Sequence, residues 1–430
     1  LAAFLLRPGV FAPLAAIFFL ATSLAAIHAN VHSEMGRKDL LEGDTGHYLA
    51  IARDFARGDF SMSYVEARPH RQPLYPLLLA PGFRWFGGDL QILASVNVLL
   101  LIGAFLLLYF GILRFFHSRF VAAAIGFLFL HNPFVHAHAT RHLLTEPLHL
   151  LLAIGVVFAT LDYLESRRRR SLLAFAALAG LDYLTRPNGL FIFASAIAVL
   201  LLNEAWRFYR PSSSPRPSLS HIAGCYVLAL SIFALVAAPS WIPRYHYFGN
   251  PIHHGYLSNY LWTDTYKEGH VGQRFASYTA KDYFENHHLG DVVQRWVRGV
   301  GECGFAIPIR TEEKLPLLYF LALGGLVATV WSGSGSYRTL AAFGVLQMLP
   351  LIWTNLSNPT IRVPYAAELP FELVFAALFL SQLCRVIHRG FLRICHGQLD
   401  HKLIFRRQGS GSHHDTAPVC MHNFAAETKT

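Results

Sequence analysis

Apolar stretches close to the roughly 20 residues that cross about 30 Å of hydrocarbon recur along most of the chain. They run over 11–29, 91–113, 119–137, 147–165, 171–185, 189–206, 221–243, 315–331, 338–354 and 363–384. The fifth is the shortest. A bilayer core offers backbone groups no water, so spans of this kind must be helical. The pattern predicts an all-α polytopic membrane protein with about ten transmembrane helices and amphipathic helices in its first outer loop. The opening apolar stretch, 12–29, lacks a clean small-residue cleavage site and further spans follow, so a retained first span is expected.

The polar positions between the spans set the topology. Arg114 and Arg119, Arg167 to Arg170, Arg207, Arg210, Arg216 and Arg338 fall on one side, with Arg385, Arg389, Arg393, Lys402, Arg406 and Arg407 of the tail. The positive-inside bias makes that side cytoplasmic. The long loops 30–90 and 244–314, and the short turns near Arg141, Arg186 and Asn358, are then extracytoplasmic. The expected location is a bacterial inner (cell) membrane, crossed many times, with the chemistry on the extracytoplasmic side. Residues 1–385 are read as one transmembrane domain and 386–430 as a basic, disordered cytoplasmic tail, with a flexible linker at 211–220.

Composition agrees. Of 430 residues, 53% are hydrophobic and 14% charged, against about 25% charged in soluble proteins, and the mean hydropathy is +0.36. The net charge of +10 sits in short loops where topology explains it, so it is no sign of nucleic acid. Five cysteines show no metal or redox spacing.

The chemistry-bearing stretch runs from Gly43 to Pro76: GDTGHYLAIARDFARGDFSMSYVEARPHRQPLYP. Tyr48, Ile51, Ala52, Phe55 and Ala56 recur at helical spacing until Gly58, which describes a short surface helix opened by Asp44. Two readings fit Asp44: a helix N-cap, or a general base that orients an acceptor hydroxyl at the lipid boundary. Glu66, Arg68, His70 and Arg71 follow; arginine suits bidentate phosphate binding, and a solvated loop beneath anionic headgroups is the plainer account.

Three further turns carry charge. In RHLLTEPLHLLL, Thr145 can cap the fourth span and Glu146 suits its first turn. His138 and His142 nearby allow an acceptor or divalent metal contact, although the turn interrupts regular ligand spacing. In DYLTRPNG, Asp182 and Arg186 are four apart and could pair within a helix; Arg186 could also reach an isoprenoid phosphate. The last span begins with Arg362 and carries Glu368 and Glu372, which must face a cavity or a partner because a carboxylate in lipid is costly. Pro364 and Pro370 suggest a kink there.

At these residues the chain resembles the GT-C glycosyltransferases, in the branch of protein O-mannosyltransferases and lipid A aminoarabinose transferases. The matches come in order: Gly43, Asp44, Tyr48 and Ala52; Arg71, Pro73, Leu74, Tyr75 and Pro76; Glu146, Pro147 and Leu148; Thr185, Arg186, Pro187 and Gly189; then Arg362, Pro364 and Pro370. The resemblance implies inverting transfer of a sugar from a polyprenyl-phosphate donor to a lipid, glycan or protein acceptor. Asp44 and Glu146 would be the catalytic acids, and Arg68, Arg71, Arg186 and Arg362 the donor-phosphate ligands. Tyr48, Glu66, His142 and Glu368 would line the acceptor or cavity side. No organic cofactor is implied, and a divalent metal is left open. The chain departs from the family where Thr45 follows Asp44 in place of a second acid, and where Glu368 and Glu372 interrupt the last span. A transporter or flippase of lipid-linked or anionic solutes is the rival, with Asp182, Glu368 and Glu372 as proton-coupling groups.

Overall fold

The computed structural model describes residues 8–41, 43–209, 218–255, 259–264, 279–301, 316–332, 335–355 and 368–387. Residues 211–217 of the linker fall outside them, as do Arg362, Pro364 and nearly all of the tail, whereas Ser218 caps and Leu219 and Ser220 begin the helix that follows. The described residues are helical and contain no strand. In chain order the helices are α1 (Pro8–His32), α2 (Glu34–Leu41), α3 (Asp44–Ala56), α4 (Tyr64–Ala67), α5 (Leu74–Phe86), α6 (Leu90–Phe116), α7 (Arg119–Leu130), α8 (Pro133–Thr140), α9 (Glu146–Ser166), α10 (Arg169–Tyr183), α11 (Gly189–Tyr209), α12 (Leu219–Phe248), α13 (Ala280–Asn286), α14 (Leu289–Gly301), α15 (Pro316–Ser332) and α16 (Gly335–Asn355). The last, α17, is Glu368–Ile387. The chain divides into units 1–380 and 381–430.

Each of the ten apolar stretches is helical over most of its described length. Six of them, α1, α6, α9, α11, α12 and α17, are long and apolar enough to cross a membrane alone. α7 and α8 together are also apolar enough, but the pair is bent by 53°, the shape of a broken span or of a re-entrant loop. The bend has a local cause. Asn132 accepts a hydrogen bond from the Phe134 amide at 2.9 Å and so caps a new helix. Pro133, next to it, has no N–H to continue the old one.

α6 is the central post, packed by α1, α7, α8 and α9, while α9 leads through α10 to α12 and through α11 to α16. The core is aromatic: Tyr75, Phe105, Tyr109, Phe129, Phe134, Phe175 and Tyr183 are almost fully buried. At the basic end of the bundle, Arg114 pairs with Asp162, and Arg167 with Glu204. α3 packs on α5 at the opposite end, where the charged turns gather.

Candidate functional site

Asp44 is the first residue of α3, and it does not cap it. Gly43 holds the cap position with φ of 63°, and no side chain hydrogen-bonds there. The Asp44 carboxylate pairs instead with the Arg71 guanidinium. Nη1 of Arg71 donates to the Tyr48 hydroxyl at 3.1 Å, and Nη2 lies 3.2 Å from Nδ1 of His47. The same guanidinium covers the Tyr48 ring, 4.9 Å from its centroid. Asp44, His47 and Tyr48 are three and four residues apart, so one face of α3 presents all three to one arginine. Arg71 is 7% exposed while Asp44 is 39% exposed, which leaves the carboxylate within reach of a substrate.

The ring chemistry fits this arrangement. Burial, then the Arg71 and Arg68 charges, hold His47 below its ordinary pKa, so a neutral ring can accept from Arg71. Burial and then Arg71 push His70 down to about 3. Burial opposes the charge on Arg71 itself, but Tyr48 and Asp44 outweigh it and raise its pKa. One consequence is measurable. Unfolded His70 titrates near 6.5 and the folded form near 3, so between those values the unfolded chain binds the extra proton. Stability should therefore fall as pH drops from about 6.5 toward 3. Melting in detergent across that range should show the fall, and His70→Gln should reduce it.

Glu146 and Arg186 form a second pair. Nη1 of Arg186 is 2.8 Å from Oε1 of Glu146, with side chains 15% and 4% exposed. Asp44 and Tyr48 lie within electrostatic range of Arg186, and Glu146 and Tyr48 within that of Tyr75. Two carboxylates and two arginines thus form one cluster around Tyr48. The Asp182 and Arg186 spacing predicts a helical ion pair, and the structure differs. α10 ends at Tyr183, so Arg186 sits in the turn beyond it and reaches Glu146. Asp182 is hydrogen-bonded to His149, one turn after Glu146 on α9, at 2.7 Å with both side chains fully buried.

Backbone ties hold the cluster in register. The amide of Leu74, at the start of α5, donates to the Leu184 carbonyl at 2.9 Å, which joins the Arg71 segment to the Arg186 turn. Tyr75 donates to Asn97 at 2.9 Å, and Asn97 donates to the carbonyls of His138 and His142 at 3.2 and 2.8 Å. Thr45 donates to the Leu143 carbonyl at 3.3 Å. These bonds fix the turn that delivers Glu146. Thr145, expected to cap α9, makes no side-chain cap bond.

Gly189 is where the arginine turn closes. A Cβ there would lie 2.2 Å from the Tyr183 amide nitrogen, which is backbone and cannot move aside. Gly189→Ala should therefore cost about 1–3 kcal/mol or more by overpacking, seen as a lower melting temperature. Gly224→Ala, inside α12 at a position with nothing within 4 Å, should melt no lower, since alanine is the better helix former.

Sequence reasoning missed Arg244. It is fully buried at the end of α12 and donates to the carbonyls of Ser240, Pro69 and Arg71 at 2.8, 2.7 and 2.9 Å. Ser240 also donates to Gln72 at 2.9 Å, and the Gln72 amide lies 3.4 Å from His254. Arg244 therefore grips the loop that carries Arg71. Its signal was a lone arginine beyond an apolar run that contains Pro239 and Pro243.

The other sequence candidates lie variously. Arg68 is half-buried at the end of α4, within electrostatic range of His47 and His70. Glu66 is exposed, and no hydrogen bond or ion pair joins it to the cluster among the described residues. His142 stacks edge-on to His138 at 5.5 Å. Glu368 and Glu372 line a separate apolar cavity of about 370 Å³ between α15, α16 and α17, whose lining includes neither Asp44 nor Glu146. Arg362 lies outside the described residues. Among those described, no group of three or more His, Cys, Asp or Glu could hold a metal.

No protein-family model and no curated protein matches the sequence. Solved structures do match. ArnT from Cupriavidus metallidurans bound to undecaprenyl phosphate aligns with a TM-score of 0.51 at 14% identity, over 88% of this chain and 63% of that one. The archaeal oligosaccharyltransferase AglB from Archaeoglobus fulgidus, in complex with an inhibitory peptide and a dolichol-phosphate, aligns with 0.53 at 13%, over 95% and 53%. The chain spans less than two thirds of either protein, and identities this low speak to the fold. What is shared is the fold, an all-helical polytopic membrane architecture common to this chain and these two proteins.

Proposed function

We propose that this protein transfers a sugar from a polyprenyl-phosphate donor to a hydroxyl of a lipid, glycan or protein acceptor on the extracytoplasmic side of a bacterial inner membrane. The observation that carries the reading is the pairing of half-exposed Asp44 with buried Arg71, beside Glu146 and Arg186. The two aligned proteins were solved with undecaprenyl phosphate and dolichol-phosphate, which supports a donor of this chemistry.

The steps follow from the groups present. A neighbouring guanidinium favours the charged form of a carboxylate, the form that a general base needs. Asp44 takes the proton from the acceptor hydroxyl as that oxygen bonds to the anomeric carbon. The bond from that carbon to the phosphate oxygen breaks on the opposite face, its electron pair leaves with the polyprenyl phosphate, and the configuration inverts. A guanidinium carries five N–H donors, so Arg71 and Arg186 can hold a carboxylate and still meet a phosphate oxygen. Arg68 and Arg362 are the further candidates for that charge. Such preset donors stabilise the departing phosphate without reorganisation. Glu146 orients Arg186.

Mass spectrometry of surface glycans and lipids, with and without the protein, tests the reading. Loss of one sugar mass from one product class is expected. Identical profiles under expression of the protein would contradict it.

A further inference from the structure

α14 has three faces, and the described residues cover one of them. On the first, Arg295 donates to the carbonyls of Trp353 and Tyr260 and to Asp264 at 3.0–3.1 Å. Gly299 lies on the same face, and a Cβ on it would stand 2.2 Å from the Ile352 carbonyl oxygen. These contacts fasten α14 to the final turn of α16. The second face, Asp291, Gln294 and Arg298, is polar and exposed. The third is apolar and equally exposed: Leu289, Val293, Val297 and Val300, at successive helical turns, are 79%, 53%, 65% and 45% exposed.

The surroundings of the third face are apolar as well. Val300 lines the same cavity as Tyr319 of α15 and Leu349 and Ile352 of α16. Those two helices expose Leu317, Phe320, Val345 and Leu349, so the exposed apolar surface runs on from α14 to its neighbours. The stripe on α14 is thus continuous with the exposed apolar surface of α15 and α16, at the level where α16 ends. Trp296 and Trp353 meet there with ring centroids 5.6 Å apart, and tryptophan favours the headgroup boundary. A helix with one apolar stripe, one polar stripe and a basic residue on the polar side is suited to lie in that boundary.

We propose that α14 is an interfacial helix whose Leu289, Val293, Val297 and Val300 stripe is immersed in the acyl chains of the leaflet at the site end, with Gln294 and Arg298 in headgroup water. Lipid, rather than a protein partner, is the occupant of this face.

Nitroxide labels test it in the full chain, reconstituted in phosphatidylglycerol and phosphatidylethanolamine nanodiscs on a background without native cysteines. Val293→Cys, Val297→Cys and Val300→Cys would each be labelled separately, with Gln294→Cys and Arg298→Cys as controls. Collisions with oxygen, which partitions into lipid, should exceed those with a water-soluble nickel chelate at 293, 297 and 300, and the order should reverse at 294 and 298. Nickel-dominated collisions on both faces would overturn the proposal. So would low collision with both reagents at the valine positions, because a protein segment or second copy would then cover the stripe.

Discussion

Asp44→Asn should abolish sugar transfer, by at least the 10²–10⁴-fold or so that a positioned general base supplies. Asparagine keeps the shape of the side chain and a carbonyl that still accepts from Arg71, so the loop of α3 should remain folded. It removes the proton acceptor. Binding of the donor lipid should persist, because the contacts proposed for it are made by arginines. Transfer is read with purified protein in vesicles, and folding by melting in detergent. Transfer at the wild-type rate by a folded Asp44→Asn protein would remove Asp44 from the mechanism.

Arg186→Ala should damage both the fold and the donor site, and a paired variant separates the two effects. Glu146 is only 4% exposed and pairs with Arg186, and breaking a buried pair by deleting one partner costs about 3–5 kcal/mol. The single variant should melt markedly lower. Replacing both partners with apolar groups of similar size often restores stability, so Glu146→Leu with Arg186→Met should recover much of the melting temperature. Donor binding should not recover, because a phosphate ligand is still missing. Recovery of both would make the pair purely structural.

The fold was legible because its determinants are local in the chain. Runs of about 20 apolar residues can satisfy their backbones in lipid only as helices; the bend at Asn132 and Pro133 within the third run was not read from the sequence. The gathering of Arg71, Glu146 and Arg186 at one end followed from their place in the loops between spans. Pairing was less legible, because it depends on where helices stop. Asp182 and Arg186 have helical spacing, yet α10 ends between them, and His149 takes the partner that spacing assigned to Arg186. Asp44 looks like a cap in sequence, but Gly43 occupies the cap position. Arg244 and Asn97 act across the bundle on backbone carbonyls of other segments, and a carbonyl leaves no mark in a sequence.

The central claim is that the cluster around Tyr48 recognises the phosphate of a polyprenyl lipid. Polyprenyl phosphate is the leaving group whatever the sugar, so its binding can be measured without knowing the donor. Binding to the protein in nanodiscs, followed by native mass spectrometry with the uncharged polyprenol as competitor, tests this directly. The account predicts that polyprenyl phosphate binds, that polyprenol competes poorly, and that Arg71→Gln and Glu146→Leu with Arg186→Met each weaken binding at least tenfold. Equal binding of phosphate and alcohol, unchanged in both variants, would contradict it.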